Sequence, residues 1–238
     1  MPDPDEPPTA APRCVLAVYA HPDDPEVSCA GTLARWVDEG ADVHLVICTR
    51  GEKGTRDPHV TADEVAARRA IEMDEAAAVL GLTSHETLGY PDGEIDNTHE
   101  LRAVLVERIR RLRPDTVVGP DPTAVFFGSS YVNHHDHRGI GFALLDACAP
   151  AAASPLYFPD AGPAHQVTDI YLSGTLSPDT WVDVETTLER KVEALLCHGS
   201  QLGDDAELAG EVVRRRAAAA GQEGGLGRAE AFRVLRLG

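Results

Sequence analysis

The chain has 238 residues, is 43% apolar and carries a formal net charge of −18. That size and balance suit one sizeable globular domain. The acidity argues against nucleic acid and anionic membranes as partners, and it disfavours highly anionic substrates unless local arginines offset it. No apolar stretch approaches the length of a membrane span. The five cysteines (Cys14, Cys29, Cys48, Cys148 and Cys197) follow neither a zinc motif nor a disulfide frame, as expected of reduced thiols in a cytoplasmic protein.

Residues 1–13 are Pro-rich and acidic, lack the apolar core of a signal peptide, and read as a disordered leader. From residue 14, strand and helix signals alternate. An apolar run predicts a strand over 14–20, followed by a helix over 27–39 and a second strand over 43–49. Thr61 and Glu64 form a capping box that opens a long Ala-rich helix ending near Gly81. A third strand is expected over 85–88. A helix capped by Asn97 then runs to Arg113 and is stopped by Pro114, ahead of a fourth strand over 116–119. Residues 150–166 read as a long Pro/Gly/Ala-rich loop, of the kind that often serves as a lid or interface. Short strands are expected over 167–172 and 181–184, then two helices and a terminal segment over 229–235. This alternation predicts an α/β fold, a Rossmann-like three-layer α/β/α sandwich with a mostly parallel sheet, in one domain over 14–238 that includes the C-terminal helices from about 185. No G-x-G-x-x-G or Walker pattern follows the first strand, so a dinucleotide or nucleoside triphosphate is not expected.

Two clusters carry the chemistry. His21-Pro22-Asp23-Asp24-Pro25-Glu26 packs one histidine and three carboxylates into the turn after the first strand. A purely structural turn has no use for adjacent like charges, whereas imidazole and carboxylate together are ligands for a divalent cation such as zinc. His134-His135-Asp136-His137-Arg138 lies in a loop after the fourth strand. In a parallel sheet both loops emerge at the carboxyl edge, where ligands bind, so they can converge on one metal.

These residues resemble the PIG-L/LmbE-like metal-dependent N-deacetylases, whose signature is A-H-P-D-D-x-E early and H-x-D-H later. The chain reads Ala20-His21-Pro22-Asp23-Asp24-Pro25-Glu26 and His134-His135-Asp136-His137, with supporting segments at Gly31-Thr32-Leu33-Ala34, Thr49-Arg50-Gly51-Glu52, Leu88-Gly89-Tyr90-Pro91-Asp92-Gly93 and His198-Gly199-Ser200-Gln201. The resemblance implies an LmbE-like fold and assigns His21, Asp24 and His137 as ligands of Zn2+, with Fe2+ or another divalent metal as alternatives. It makes Asp23 the general base that activates water, and it sets His134 at the oxyanion, where a protonated imidazole would serve best. Asp136, between two histidines, is expected to hold an imidazole in orientation. Glu26 reads as a helix-start carboxylate or a supporting residue, and Pro25 between it and Asp24 leaves its role open. His135 occupies the variable position and reads as a bystander.

Arg50 and Arg56 after the second strand and Asp92 after the third are expected at the rim as substrate-binding residues. Arg50 reads equally as a loop brace, and Asp92 as an ordinary turn residue. The implied activity is removal of an N-acetyl group from a small molecule, an N-acetylglucosamine derivative first, with a possible homo-oligomer. Amidase action on a larger acyl or thiol conjugate is a close variant. A non-haem Fe(II) oxygenase shares the two-histidine, one-carboxylate ligand set but commonly sits on a β-rich fold.

Overall fold

The computed structural model describes residues 11–237. The expected disordered leader lies outside these residues up to position 10, and Arg13 already donates its backbone N–H to Asp115 Oδ2 at 3.0 Å. The first strand, β1 (Cys14–Tyr19), is apolar throughout because both of its faces are covered. Val15, Ala17 and Tyr19 point to one layer, and Leu16, Val18 and Ala20 to the other.

The helix expected over 27–39 is broken into α1 (Asp24–Ser28) and α2 (Ala30–Asp38), with the break at Cys29. The physical cause comes from the far end of the chain. The Glu230 carboxylate accepts from the backbone N–H groups of Gly31 and Thr32, so the start of α2 is capped by a buried acid rather than continued into α1. Next come β2 (Asp42–Thr49) and α3 (Ala62–Leu80), whose capping box forms as expected and which ends at Gly81 in the left-handed region, φ 75°. After β3 (Ser84–Tyr90), α4 (His99–Leu112) is capped by Thr98 rather than Asn97, and the Asn97 amide is instead spent on Asp146.

Beyond β4 (Thr116–Pro120), the chain makes a short hairpin, β5 (Phe126–Phe127) with β6 (Tyr131–Val132), before α5 (His135–Asp146). The remaining elements are β7 (Asp169–Ser173), β8 (Thr180–Asp183), α6 (Leu188–Leu196), α7 (Gly199–Leu202), α8 (Ala206–Gly224) and β9 (Ala229–Arg236). The sheet order is β3-β2-β1-β4-β7-β9-β8. The first five strands are parallel, and β9 runs antiparallel between β7 and β8. Helices α2 and α3 pack on one face, and α4 and α5 on the other. The chain leaves β1 toward β2 on one side, and β4 lies on the other. The two signature loops therefore leave the sheet at its topological switch point, where a crevice opens outside the strand ends.

Residues 150–166 form neither a lid nor a free loop. Arg110, 3% exposed on α4, donates to six of the segment's carbonyl oxygens, those of Ala151, Ala152, Ser154, Tyr157, Phe158 and Gly162. His165 Nε2 lies 2.7 Å from Pro114 O, just ahead of β4. The segment is thus stapled at the amino edge of the sheet, away from the signature loops. No helix among the described residues is long and apolar enough to cross a membrane.

Candidate metal centre

The turn after β1 presents its side chains through an unusual backbone. Asp23 has φ 101°, a left-handed conformation that costs a non-glycine residue about 1–3 kcal/mol. Arg69, from α3, secures it. One Arg69 nitrogen lies 3.0 Å from Asp23 Oδ1 and also donates to Pro22 O, and the other donates to Gly51 O at 3.1 Å. Gly51 has φ 62°, and a side chain there would run into the guanidinium. Arg69 therefore ties the turn after β1 to the loop after β2.

On the other side, α5 begins at the second motif. His134 is its N-cap, with Nδ1 accepting the Asp136 N–H at 3.2 Å. One turn in, Gly139 packs against the backbone of Ile95. A Cβ at Gly139 would lie 2.1 Å from Ile95 O, so the helix start is seated closer than any other residue would permit.

Three donor atoms converge between the loops. His137 Nε2 lies 3.0 Å from Asp24 Oδ1 and 3.3 Å from His21 Nδ1, and His21 Nδ1 is 3.5 Å from Asp24 Oδ2. The remaining nitrogen of each ring is already engaged. His21 Nε2 is 3.1 Å from Asp136 Oδ2 and 3.2 Å from Asp92 Oδ1, and His137 Nδ1 is 2.9 Å from Asn133 Oδ1. Each imidazole is thus turned so that its free nitrogen faces the same point, the arrangement that fixes tautomer and ring direction at metal centres. Two imidazoles and a carboxylate on one point fit a divalent cation with room for other ligands. His21, His134 and Asp136 also lie close together, but Asp136 Oδ2 receives the Gly93 N–H and His134 Nδ1 the Asp136 N–H, so these atoms are committed to the fold.

The electrostatics follow from this geometry. Burial pulls the His21 imidazole down, but Asp24, Asp136 and Asp92 together push it up to about 12. Burial likewise opposes a charged His137, and Asp24 raises it. Burial pushes the Asp24 carboxyl up, yet His137 and His21 hold it well below the usual carboxylate range. For Asp136, burial is outweighed by His21 and by the amides of Ile95 and Gly93, which draw it down to about 2. Asp23 goes the other way, with burial raising it to about 6 against the pull of Arg69. His134 is lowered, first by burial and then by His21 and His137. That shift works against the protonated imidazole expected for the oxyanion role. The neutral ring still offers an N–H at Nε2, because Nδ1 is the acceptor.

Other expected site residues fall elsewhere. Asp92 is buried beneath His21, its Oδ2 accepting the Lys53 N–H at 3.1 Å, and does not reach the rim. Arg50 is exposed and paired with Asp63 at 3.0 Å, so it braces its loop against α3. Arg56 is exposed, and neither arginine lines the cavity beside the metal residues. His135 turns outward to Asp96, 3.1 Å away. Glu26 is fully buried behind Asp23 and faces His198 Nε2 at 3.4 Å, a contact that raises His198 despite its burial.

Arg69 and Asn133 were not singled out from the sequence. Arg69 carried a legible signal: it falls, with Glu72, on the stripe Val65, Ala66, Met73, Ala76, Ala77 and Leu80 that α3 buries. A charge on a buried stripe requires a partner. Asn133 carried none.

Asp23, Asp24 and His137 open into a cavity of about 820 Å³. Its walls include Phe127 and Tyr131 of the hairpin and the carboxyl ends of β4, β7 and the start of β9.

Comparison with known proteins identifies the family. The family described as PIG-L: GlcNAc-PI de-N-acetylase matches residues 16–148. A diacetylchitobiose deacetylase of Thermococcus kodakarensis is 34% identical over 194 residues, covering 80% of this chain and 71% of that protein. A 1D-myo-inositol 2-acetamido-2-deoxy-alpha-D-glucopyranoside deacetylase of Saccharopolyspora erythraea is 33% identical over 184 residues, covering 66% of this chain and 63% of its own. The solved structure of N,N'-diacetylchitobiose deacetylase from Pyrococcus horikoshii, complexed with an inhibitor, aligns at a TM-score of 0.86 and 31% identity, covering 94% of this chain and 84% of that one. The family match covers more than half of the chain, and sequence identity and overall fold agree with it: the chain belongs to the PIG-L family of de-N-acetylases.

Proposed function

We propose that this N-deacetylase hydrolyses the N-acetyl amide of a small N-acetylglucosamine-type substrate, with zinc held by His21, Asp24 and His137. The observation that carries the reading is the convergence of His21 Nδ1, Asp24 and His137 Nε2, with the other nitrogen of each ring already held, beside Asp23 on the cavity wall. Relatives that deacetylate chitobiose and an inositol-linked glucosamine support the substrate class.

Zinc held by these residues would supply a Lewis acid for the amide carbonyl and would bring the pKa of a bound water to about 7. The protein's own groups do the rest. Asp23 takes a proton from the attacking water. Its carboxyl, at about 6 before any cation is added, is ionised at neutral pH and close enough to that pH to give the proton up again to the departing amine. Arg69 keeps Asp23 aimed while leaving its second oxygen free. His134, whose ring centroid lies 4.7 Å from that of His21, presents Nε2–H at the edge of the site, where negative charge develops on the carbonyl oxygen. Asp136 and Asp92 hold His21, and Asn133 holds His137. Five free cysteines, three of them buried, suit a cytoplasmic setting.

The direct test is acetate release from a panel of N-acetylglucosamine derivatives, with chelation and zinc add-back. Release that the chelator abolishes and zinc restores is the expected result. A metal-loaded protein that releases acetate from none of them overturns the substrate class. Oxygen consumption with a 2-oxo acid would instead point to the iron oxygenase that the same ligand set permits.

A further inference from the structure

The cavity beside the metal residues extends well past them. It runs along the carboxyl ends of β4, β7 and β9 to α8, which lines it with Val213, Arg216, Ala217 and Ala220. Those four positions follow helical spacing and form one face. The face is fixed in place: a Cβ at Gly224 would lie 2.5 Å from the Trp181 ring, and one at Gly221 would lie 2.5 Å from Gly227 O, so the end of α8 sits directly on β8 and the turn before β9.

Among the charged side chains on the cavity wall, Arg216 stands apart. Asp23, Asp24, Asp121 and Glu230 are carboxylates, and Lys191 is neutralised by Glu230. Arg216 makes no hydrogen bond or ion pair among the described residues. Its neighbours three and four positions away along α8 are Val212, Val213, Ala219 and Ala220, so the helix supplies no carboxylate to occupy it. Arg214, by contrast, is paired with Glu189 at 2.6 Å. Arg216 is exposed as well as lining the cavity. In a chain of net charge −18, an unpaired cation facing a cavity is a local reversal of sign. The volume, about 820 Å³, lies high in the roughly 300–1,000 Å³ range of small-molecule sites and leaves room beyond one sugar ring held at the metal.

We propose that Arg216 is a specificity residue that reads an anionic group on the part of the substrate beyond the N-acyl sugar, so that the substrate is an N-acylglucosaminide whose aglycone carries a carboxylate or a phosphate. This rests on the deacetylase reading above. A planar guanidinium meets either anion with two parallel hydrogen bonds, which a lysine would not. The apolar lining between the two ends, Val27, Phe127, Tyr131 and Val213, suits the uncharged linker that connects sugar and anion.

The test uses the zinc-loaded full chain and three N-acetylglucosaminides with the same alkyl aglycone, ending in a methyl, a carboxylate or a phosphate. The wild type should favour one or both anionic members in kcat/KM, through KM, and the preference should shrink with added salt. Arg216→Gln should collapse the anionic-to-neutral ratio about tenfold, the scale of one charge-assisted hydrogen bond. Arg216→Glu should invert it. Arg215→Gln, exposed and off the cavity wall, should leave the ratio alone. The carboxylate and phosphate arms show which anion is read. No preference in the wild type, or equal loss on all three compounds in Arg216→Gln, overturns the assignment. Calorimetric binding of the three corresponding amines keeps the two readings separate. An Arg216-dependent preference in binding without any turnover upholds Arg216 and overturns the deacetylase reading. Turnover with no preference does the reverse.

Discussion

Arg69 Nη2 lies 3.0 Å from Asp23 Oδ1, and the same guanidinium caps the backbone of the turn after β1 and of the loop after β2. A side chain 3% exposed in the middle of α3 thus holds the carboxylate proposed as the general base. Asp23→Ala should keep its metal at the wild-type ratio and lose about 10²–10⁴ in kcat, measured by metal analysis beside turnover. Arg69→Lys should not restore what Arg69→Gln removes, because one ammonium is a poor substitute for a fork that serves Asp23, Pro22 and Gly51 at once. Full turnover in Asp23→Ala would assign the base elsewhere.

The Asp23 carboxyl, raised to about 6 by burial, has to be ionised to act as a base. Activity therefore falls as pH drops and the carboxyl takes up its proton. A nearby cation favours the ionised form, so in the metal-loaded enzyme the acidic limb of kcat/KM should lie below about 6. A limb that stays in place in Asp23→Asn would belong to another group.

In the metal-free protein His21 is raised to about 12 by Asp24, Asp136 and Asp92 after burial is overcome, and His137 is also raised. At neutral pH His21 holds a proton that a metal ion must displace. Binding should therefore release protons, and affinity should weaken as pH falls, about tenfold per unit for each proton released. Calorimetry in buffers of different ionisation enthalpy measures this directly, and a heat that does not vary with buffer would rule it out.

Asn133 bridges Ala124 O and His137 Nδ1, and so sets the direction of the His137 ring from the cavity wall. Asn133→Ala should weaken zinc binding by about 10–100-fold while leaving the circular dichroism spectrum unchanged. Competition with a chelator of known affinity gives the number.

Arg110 serves only the far edge of the sheet. Arg110→Met removes the donor from six carbonyl oxygens and should lower stability by more than about 3 kcal/mol in denaturant unfolding. Turnover per folded molecule should stay at the wild-type level, since residues 150–166 do not approach the metal residues. A specific loss of kcat in folded protein would restore a functional role to that segment.

Alternation of apolar runs with helix caps was enough to read a mostly parallel three-layer sandwich, because each signal is local: a buried strand must be apolar on both faces, and a capping box closes within four residues. The two His/Asp motifs were legible for the same reason. Their residues are neighbours in the chain, and the rule that parallel strands release their loops at one edge brings the loops together without coordinates. Tertiary structure decided what depends on contacts between distant segments. It turned Asp92 inward to His21, sent Arg50 to Asp63, and brought Glu230 from β9 to break the first helix at Cys29. It also placed Arg69 on Asp23 and laid one face of α8 along the cavity. Hydrophobic periodicity says which face of an element is buried; what a buried charge meets there is settled only when the layers pack and each must find a partner.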